Sequence, residues 1–106
     1  MDVKGKVVVV TGGASGIGQG LCRRFVCEGA KKIIVADVNE AGAKSVAHEI
    51  KGIAVTCDVR KEEDVIHLVR FAEEKFGLID LFCSNAGIIV LGGVEADNED
   101  WKRIWE

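Results

Sequence analysis

Neither tyrosine nor proline occurs anywhere in these 106 residues. Without a phenol, no tyrosine can donate or accept the proton of a reaction catalysed by this chain. Without proline or any low-complexity stretch there is no sign of a linker or a disordered tail. The composition is that of a globular domain, 48% hydrophobic and 29% charged. Long apolar runs are missing as well, and none approaches the ~18 residues that suggest a membrane-spanning helix. The first ten residues, with Asp2, Lys4 and Lys6 ahead of a short apolar run, do not form a secretory signal. Clustered positive charge is also absent, with 14 Lys and Arg against 17 Asp and Glu and a formal net charge of −3. Basic residues alternate with acids, as in Lys61-Glu62-Glu63-Asp64 and Glu73-Glu74-Lys75, which reads as solvated helix faces and argues against a nucleic-acid partner.

Cys22, Cys27, Cys57 and Cys83 lack both C-x-x-C spacing and the companion histidines of a zinc site. All four lie inside helix or strand patterns, so buried free thiols in a reducing, cytoplasmic compartment are expected. His48 and His67 read as helix-surface or boundary residues with no partner at ligand spacing, and no metal site is expected.

The most informative segment is Thr11-Gly12-Gly13-Ala14-Ser15-Gly16-Ile17-Gly18, directly after the apolar run Val7-Val8-Val9-Val10. It reads as strand, glycine turn and helix start. Its glycines permit turn dihedrals and close approach of a ligand to the backbone. The N–H groups and positive dipole end of the following helix then point at an anion, for which a pyrophosphate is the natural candidate. The spacing is not G-x-G-x-x-G. Nor is it a P-loop, because Gln19 and Gly20 follow Gly18 where Lys and Ser or Thr would be needed.

Strand signals cover 6–11, 32–37, 52–57 and 79–84, each a short aliphatic run of the kind buried on both faces. Helix patterns lie between them. Ile17, Leu21 and Phe25 mark the inner face of the first, which stops at Gly29. Ala43, Val46, Ala47 and Ile50 mark the second, with Asn39 as N-cap, and Val65, Leu68, Val69, Ala72 and Phe76 mark the third, ended by Gly77. A βαβαβαβ order with short connections predicts an α/β fold with a parallel sheet and right-handed crossovers. At this length it amounts to about one half of a dinucleotide-binding fold. A last helix is expected from about Asp97, with Trp101, Ile104 and Trp105 on one stripe that wants a partner surface. Strand 79–84 is expected to be an exposed sheet edge inviting pairing with a second chain.

The Thr-Gly-x-x-x-Gly-x-Gly pattern of Gly12, Gly16 and Gly18 resembles the short-chain dehydrogenase/reductase family of NAD(P)-dependent oxidoreductases on a Rossmann sheet. Three further elements match it: Asp37 closing Ile33-Ile34-Val35-Ala36, Cys57-Asp58-Val59 closing the third run, and Asn85-Ala86-Gly87 closing the fourth. Ser84 stands where the family's first Asn is usual. The resemblance spans residues 5 to 87 and implies strand order 3-2-1-4, with helices on both faces. It implies a dinucleotide site formed by Gly12, Ser15, Gly16, Ile17, Gly18, Asp37, Val38, Asp58, Val59, Asn85, Ala86 and Gly87. Asp37 would accept from the adenosine ribose, and Asp58 with its neighbour would contact adenine. NAD is the expected cofactor, because the Asp37 carboxylate would repel a 2′-phosphate and Ala14, Ser15 and Val38 supply no cation. The complete enzyme would act on an alcohol or carbonyl and form a homo-oligomer. The family's catalytic Ser and Tyr-x-x-x-Lys pair are not in this sequence, so residues 1–106 are expected to be the cofactor-binding portion, inactive alone. The competing reading is a catalytically inactive nucleotide-binding or regulatory module.

Overall fold

The structure, a computed structural model, describes residues 3–84 and 87–90. Eight elements follow in order: β1 Val7–Thr11, α1 Gly16–Cys27, β2 Lys32–Asp37, α2 Glu40–Ile50, β3 Ile53–Thr56, α3 Glu62–Phe76, β4 Leu81–Ser84 and β5 Gly87–Val90. The sheet order is β3-β2-β1-β4-β5, with β1 to β4 parallel and β5 antiparallel to β4. The expected 3-2-1-4 order therefore holds, and each strand seen from sequence overlaps an observed one.

Alternation along the strands sorts the core into two layers. Val8, Val10, Ile33, Val35, Leu81 and Cys83 pack with Cys22 and Phe25 of α1 and Ala43, Val46 and Ala47 of α2. Their neighbours Val7, Val9, Ile34, Ala36 and Phe82 pack with Val65, Leu68, Val69 and Ala72 of α3. Period-2 side chains from one sheet thus meet period-3.6 stripes on each face. The sheet carries helices on both sides, as a parallel sheet requires.

Local chemistry sets the helix ends. In α2 the Asn39 side chain accepts from the Gly42 N–H at 3.0 Å, as its position predicts. Helix α1 ends in a Schellman arrangement: Gly29 has φ +86°, its N–H donates to the Val26 carbonyl at 3.0 Å, and Ala30 N–H donates to Phe25 at 3.1 Å. At the end of α2 the same left-handed position falls to Lys51, φ +58°.

Four expectations need correction. Ile17 is not an inner residue of α1; it is 83% exposed. Helix α1 begins only at Gly16, so Ile17 sits in the first turn at the rim of the sheet, and the inner stripe runs through Gly18, Cys22 and Phe25. Cys27, the last residue of α1, is exposed, whereas Cys22, Cys57 and Cys83 are buried free thiols as expected. Strand 79–84 is not an open edge, because β5 pairs with it, Ser84 opposite Gly87 and Leu81 opposite Val90. The β-branched run Ile88-Ile89-Val90 suits a strand. Residues 52 and 57 lie outside β3, whose three apolar side chains are half-buried, as befits an edge. The helix expected from Asp97 and its Trp101, Ile104 and Trp105 stripe lie outside the described residues.

Candidate cofactor site

The site grows from the carboxyl end of β1, at the centre of the sheet. Thr11 is buried, and its hydroxyl donates to the Cys83 carbonyl at 3.2 Å, holding the ends of β1 and β4 together. Gly12 turns the chain with φ +69°. Gly13 follows, its N–H donating to the Ala36 carbonyl of β2 at 3.2 Å. A Cβ on Gly13 would lie 2.6 Å from the Val35 side chain. Glycine at 13 therefore lets the turn lie down on β2, a requirement that sequence spacing does not reveal.

Ser15, expected as a cofactor residue, also builds the turn. Its hydroxyl donates to the Gly12 carbonyl at 2.7 Å and accepts from Gly18 N–H at 3.4 Å, making it the N-cap of α1. A Cβ on Gly18 would overlap the Gly12 carbonyl oxygen and lie 2.7 Å from Gly13 Cα. One at Gly16 would meet nothing within 4 Å. The two glycines thus have different reasons: Gly18 lets helix and turn touch, and Gly16 leaves open space above the helix start.

That helix start differs from the other two. The N–H groups of Gly16 and Ile17 have no acceptor among the described residues. Helix α1 has no acid in its first turn, whereas α2 carries Glu40 and α3 carries Glu62, Glu63 and Asp64 there. Two helices complement their own dipoles with acids, and α1 has none in its first turn.

Asp37 ends β2 beside this turn. Its Oδ2 accepts from Ala14 N–H at 3.0 Å and its Oδ1 from Asn39 N–H at 2.9 Å, which fixes the carboxylate and leaves each oxygen a further acceptor position. Val38 is 61% exposed next to it. Cys57 N–H donates to the Asp37 carbonyl at 3.1 Å, so Asp58 and Val59 leave β3 on the same edge of the sheet. Asp58 N–H donates to Asp64 Oδ2 at 3.0 Å. The Arg60 guanidinium grips the Asp58 side chain and holds its carboxyl down at about 2.

Gly12, Ser15, Gly16, Ile17, Gly18, Asp37, Val38, Asp58 and Val59 are thus brought to one edge, at the carboxyl ends of β1 to β3. Asn85 and Ala86 lie outside the described residues, and of Gly87 only its place at the start of β5 is described. An open cradle with two amide donors, a fixed carboxylate beside it and exposed apolar side chains at Ile17 and Val38 fits a dinucleotide. Sequence reasoning missed Gly13, whose constraint comes from Val35, and the hold of Arg60 on the Asp58 carboxylate. It also missed the capping role of Ser15, which the N-cap preference for serine could have found. Among the described residues no group of His, Cys, Asp and Glu could hold a metal, and no helix is long and apolar enough to cross a membrane.

A parallel sheet in this order with its ligand edge at the strand ends is a Rossmann-type architecture. The family model described as short chain dehydrogenase matches residues 6–106, and the chain belongs to that family. It is 39% identical to zerumbone synthase of Zingiber zerumbet over 113 aligned positions, covering 100% of this chain and 42% of that protein. The 3-ketoacyl-(acyl-carrier-protein) reductase of Brucella melitensis, solved with NADH, superposes with TM-score 0.72 at 43% identity, over 76% of this chain and 34% of that one. A short chain dehydrogenase/reductase of Burkholderia phymatum, solved with NAD, gives TM-score 0.74 at 30% identity, over 77% and 31%. The chain therefore spans less than half the length of these relatives.

Proposed function

We propose that this chain binds NAD as the cofactor-binding part of a short-chain dehydrogenase that interconverts an alcohol and a carbonyl. The observation that carries the reading is the Asp37 carboxylate tied to the glycine turn through Ala14, beside a helix start with bare amides. In this reading Gly12, Ser15, Gly16, Ile17 and Gly18 form the pyrophosphate cradle, with the Gly16 and Ile17 N–H groups as donors. Asp37 accepts from the adenosine ribose hydroxyls, Val38 and Ile17 cover apolar surface, and Asp58 and Val59 flank the adenine. Asn85, Ala86 and Gly87 border the site from the β4 side. When bound, NAD supplies the nicotinamide carbon that exchanges hydride with the substrate. This chain's part is to hold and orient it.

NAD is favoured over NADP because a 2′-phosphate would face the Asp37 carboxylate, and Ala14, Ser15 and Val38 offer no compensating cation. The relatives solved with NADH and NAD support a nicotinamide dinucleotide. With no tyrosine among its 106 residues, the chain by itself is expected to bind without turnover. A homo-oligomer in the cytoplasm completes the proposal, the latter supported by the three buried free thiols.

Calorimetric titration with NAD and NADP tests the reading. NAD should bind at least about tenfold more tightly, in keeping with one desolvated like-charge contact. Equal or tighter NADP binding would overturn the preference, and failure of both to bind would overturn the site.

A further inference from the structure

Asp58 is not an open carboxylate. Its Oδ1 accepts from both the backbone N–H and the Nε–H of Arg60, each at 3.0 Å, and its Oδ2 accepts from Arg60 Nη2 at 3.0 Å. With about two acceptor positions per carboxylate oxygen, Oδ1 is saturated and Oδ2 keeps one. The fork is bidentate, a strong geometry for a guanidinium and a carboxylate. It is also local, closing a turn of three residues that Asp64 anchors by accepting the Asp58 N–H. The Arg60 side chain is 85% exposed, against 17% for Asp58, so the guanidinium lies over the carboxylate at the surface. Of its five N–H groups, two are engaged by Asp58, and the other three meet no acceptor among the described residues.

Resting on the reading that Asp58 flanks the purine, we propose that Arg60 is a specificity-determining residue at the adenine end of the site. A bare carboxylate there would accept from a 6-amino group and repel a 6-oxo group. The Arg60 fork reverses part of that contrast: it occupies three of the four acceptor positions of Asp58 and sets N–H donors beside them. The site consequently takes a purine dinucleotide with an acceptor at position 6 nearly as well as one with a donor. Removing the fork returns the carboxylate to the ligand and restores strict selection for the amino group.

The test compares binding of NAD with that of nicotinamide hypoxanthine dinucleotide, which carries oxygen in place of the 6-amino group and, as the lactam, a proton on N1. Calorimetry on the unmodified chain should give affinities within about threefold of one another. In Arg60→Ala the preference for NAD should rise to about tenfold or more, the effect of one charge-assisted hydrogen bond. Arg60→Lys should behave like Arg60→Ala, since it keeps the charge but not the fork. An exposed side chain leaves folding intact, which the unfolding midpoint checks. If NAD binds and the ratio is the same in all three proteins, the proposal is overturned while the cofactor site stands. If neither dinucleotide binds any of them, both fall.

Discussion

The Ala14 N–H donates to Asp37 Oδ2 at 3.0 Å, joining residues 23 positions apart. The acid at the end of β2 is thereby held against the glycine turn at the end of β1 before any ligand arrives. Pre-orientation of this kind lowers the ordering cost of binding. Replacing Asp37 with Ser and Val38 with Arg should remove the negative charge and supply a cation. We expect NAD affinity to fall and NADP affinity to rise, inverting the preference; titration with both dinucleotides reads it.

Gly16 and Gly18 should separate binding from stability. Gly18→Ala drives a methyl into the Gly12 and Gly13 backbone and should cost about 3 kcal/mol of stability. Gly16→Val places its side chain in open space, so the free energy of urea unfolding should change by no more than about 1 kcal/mol. NAD affinity should nonetheless fall about tenfold, as lost hydrogen bonds to a charged group would dictate. A folded Gly16→Val protein with unchanged affinity would show that this glycine only shapes the turn.

Lys51 pays for its left-handed backbone, φ +58°, at the end of α2. Lys51→Gly should stabilise the fold by about 1 kcal/mol. The neighbouring Gly52→Ala should do the opposite, because a Cβ there would lie 2.6 Å from the Ile33 carbonyl oxygen. Chemical denaturation of both variants gives the two signs.

Burial pushes the Cys22, Cys57 and Cys83 thiols up to about 11 from an ordinary 9.0. The folded state therefore holds these protons more tightly than the unfolded chain does. The stability these three thiols contribute is fully present below pH 9 and is lost as pH rises from about 9 through about 11. Denaturant midpoints across that range should fall, and a flat profile would contradict the burial. At neutral pH one thiol, exposed Cys27, should react quickly with a thiol reagent, and the other three only on unfolding.

Much of the fold was legible because its signals are local. Val7 to Val10, the Asn39 cap and the glycines at 29 and 77 each announce an element within a few residues. Asp37 was legible as a candidate because an acid at the end of an apolar run is conspicuous. What could not be read depends on packing between distant segments. Gly13 answers to Val35, and Gly18 answers to the Gly12 and Gly13 backbone, so spacing alone cannot say which glycine serves the fold and which serves the ligand. Ile17 shows the converse, since helical periodicity placed inside a residue that the start of α1 leaves at the rim. The pairing of β5 with β4 escaped because a sheet edge can be filled by any neighbouring strand.

Two hydrogen bonds bracket the junction of β1 and β4: Thr11 to the Cys83 carbonyl at one end, and Val7 N–H to Asp80 Oδ2, 2.9 Å, at the other. They have a bearing on the order in which the molecule assembles. Val8 finds Ile33 on β2 close along the chain but must wait for Leu81 to pair with β4, a closure that costs about 1 kcal/mol more by loop length. The β1-α1-β2-α2-β3 unit can therefore consolidate first, and β4 docks onto a finished surface. On arrival, Asp80 and Thr11 act as stops, because a slip of one residue would turn Leu81 and Cys83 to the opposite layer. Native-state hydrogen exchange should accordingly find β4 opening at lower free energy than β1 and β2, as the last segment in and the first out.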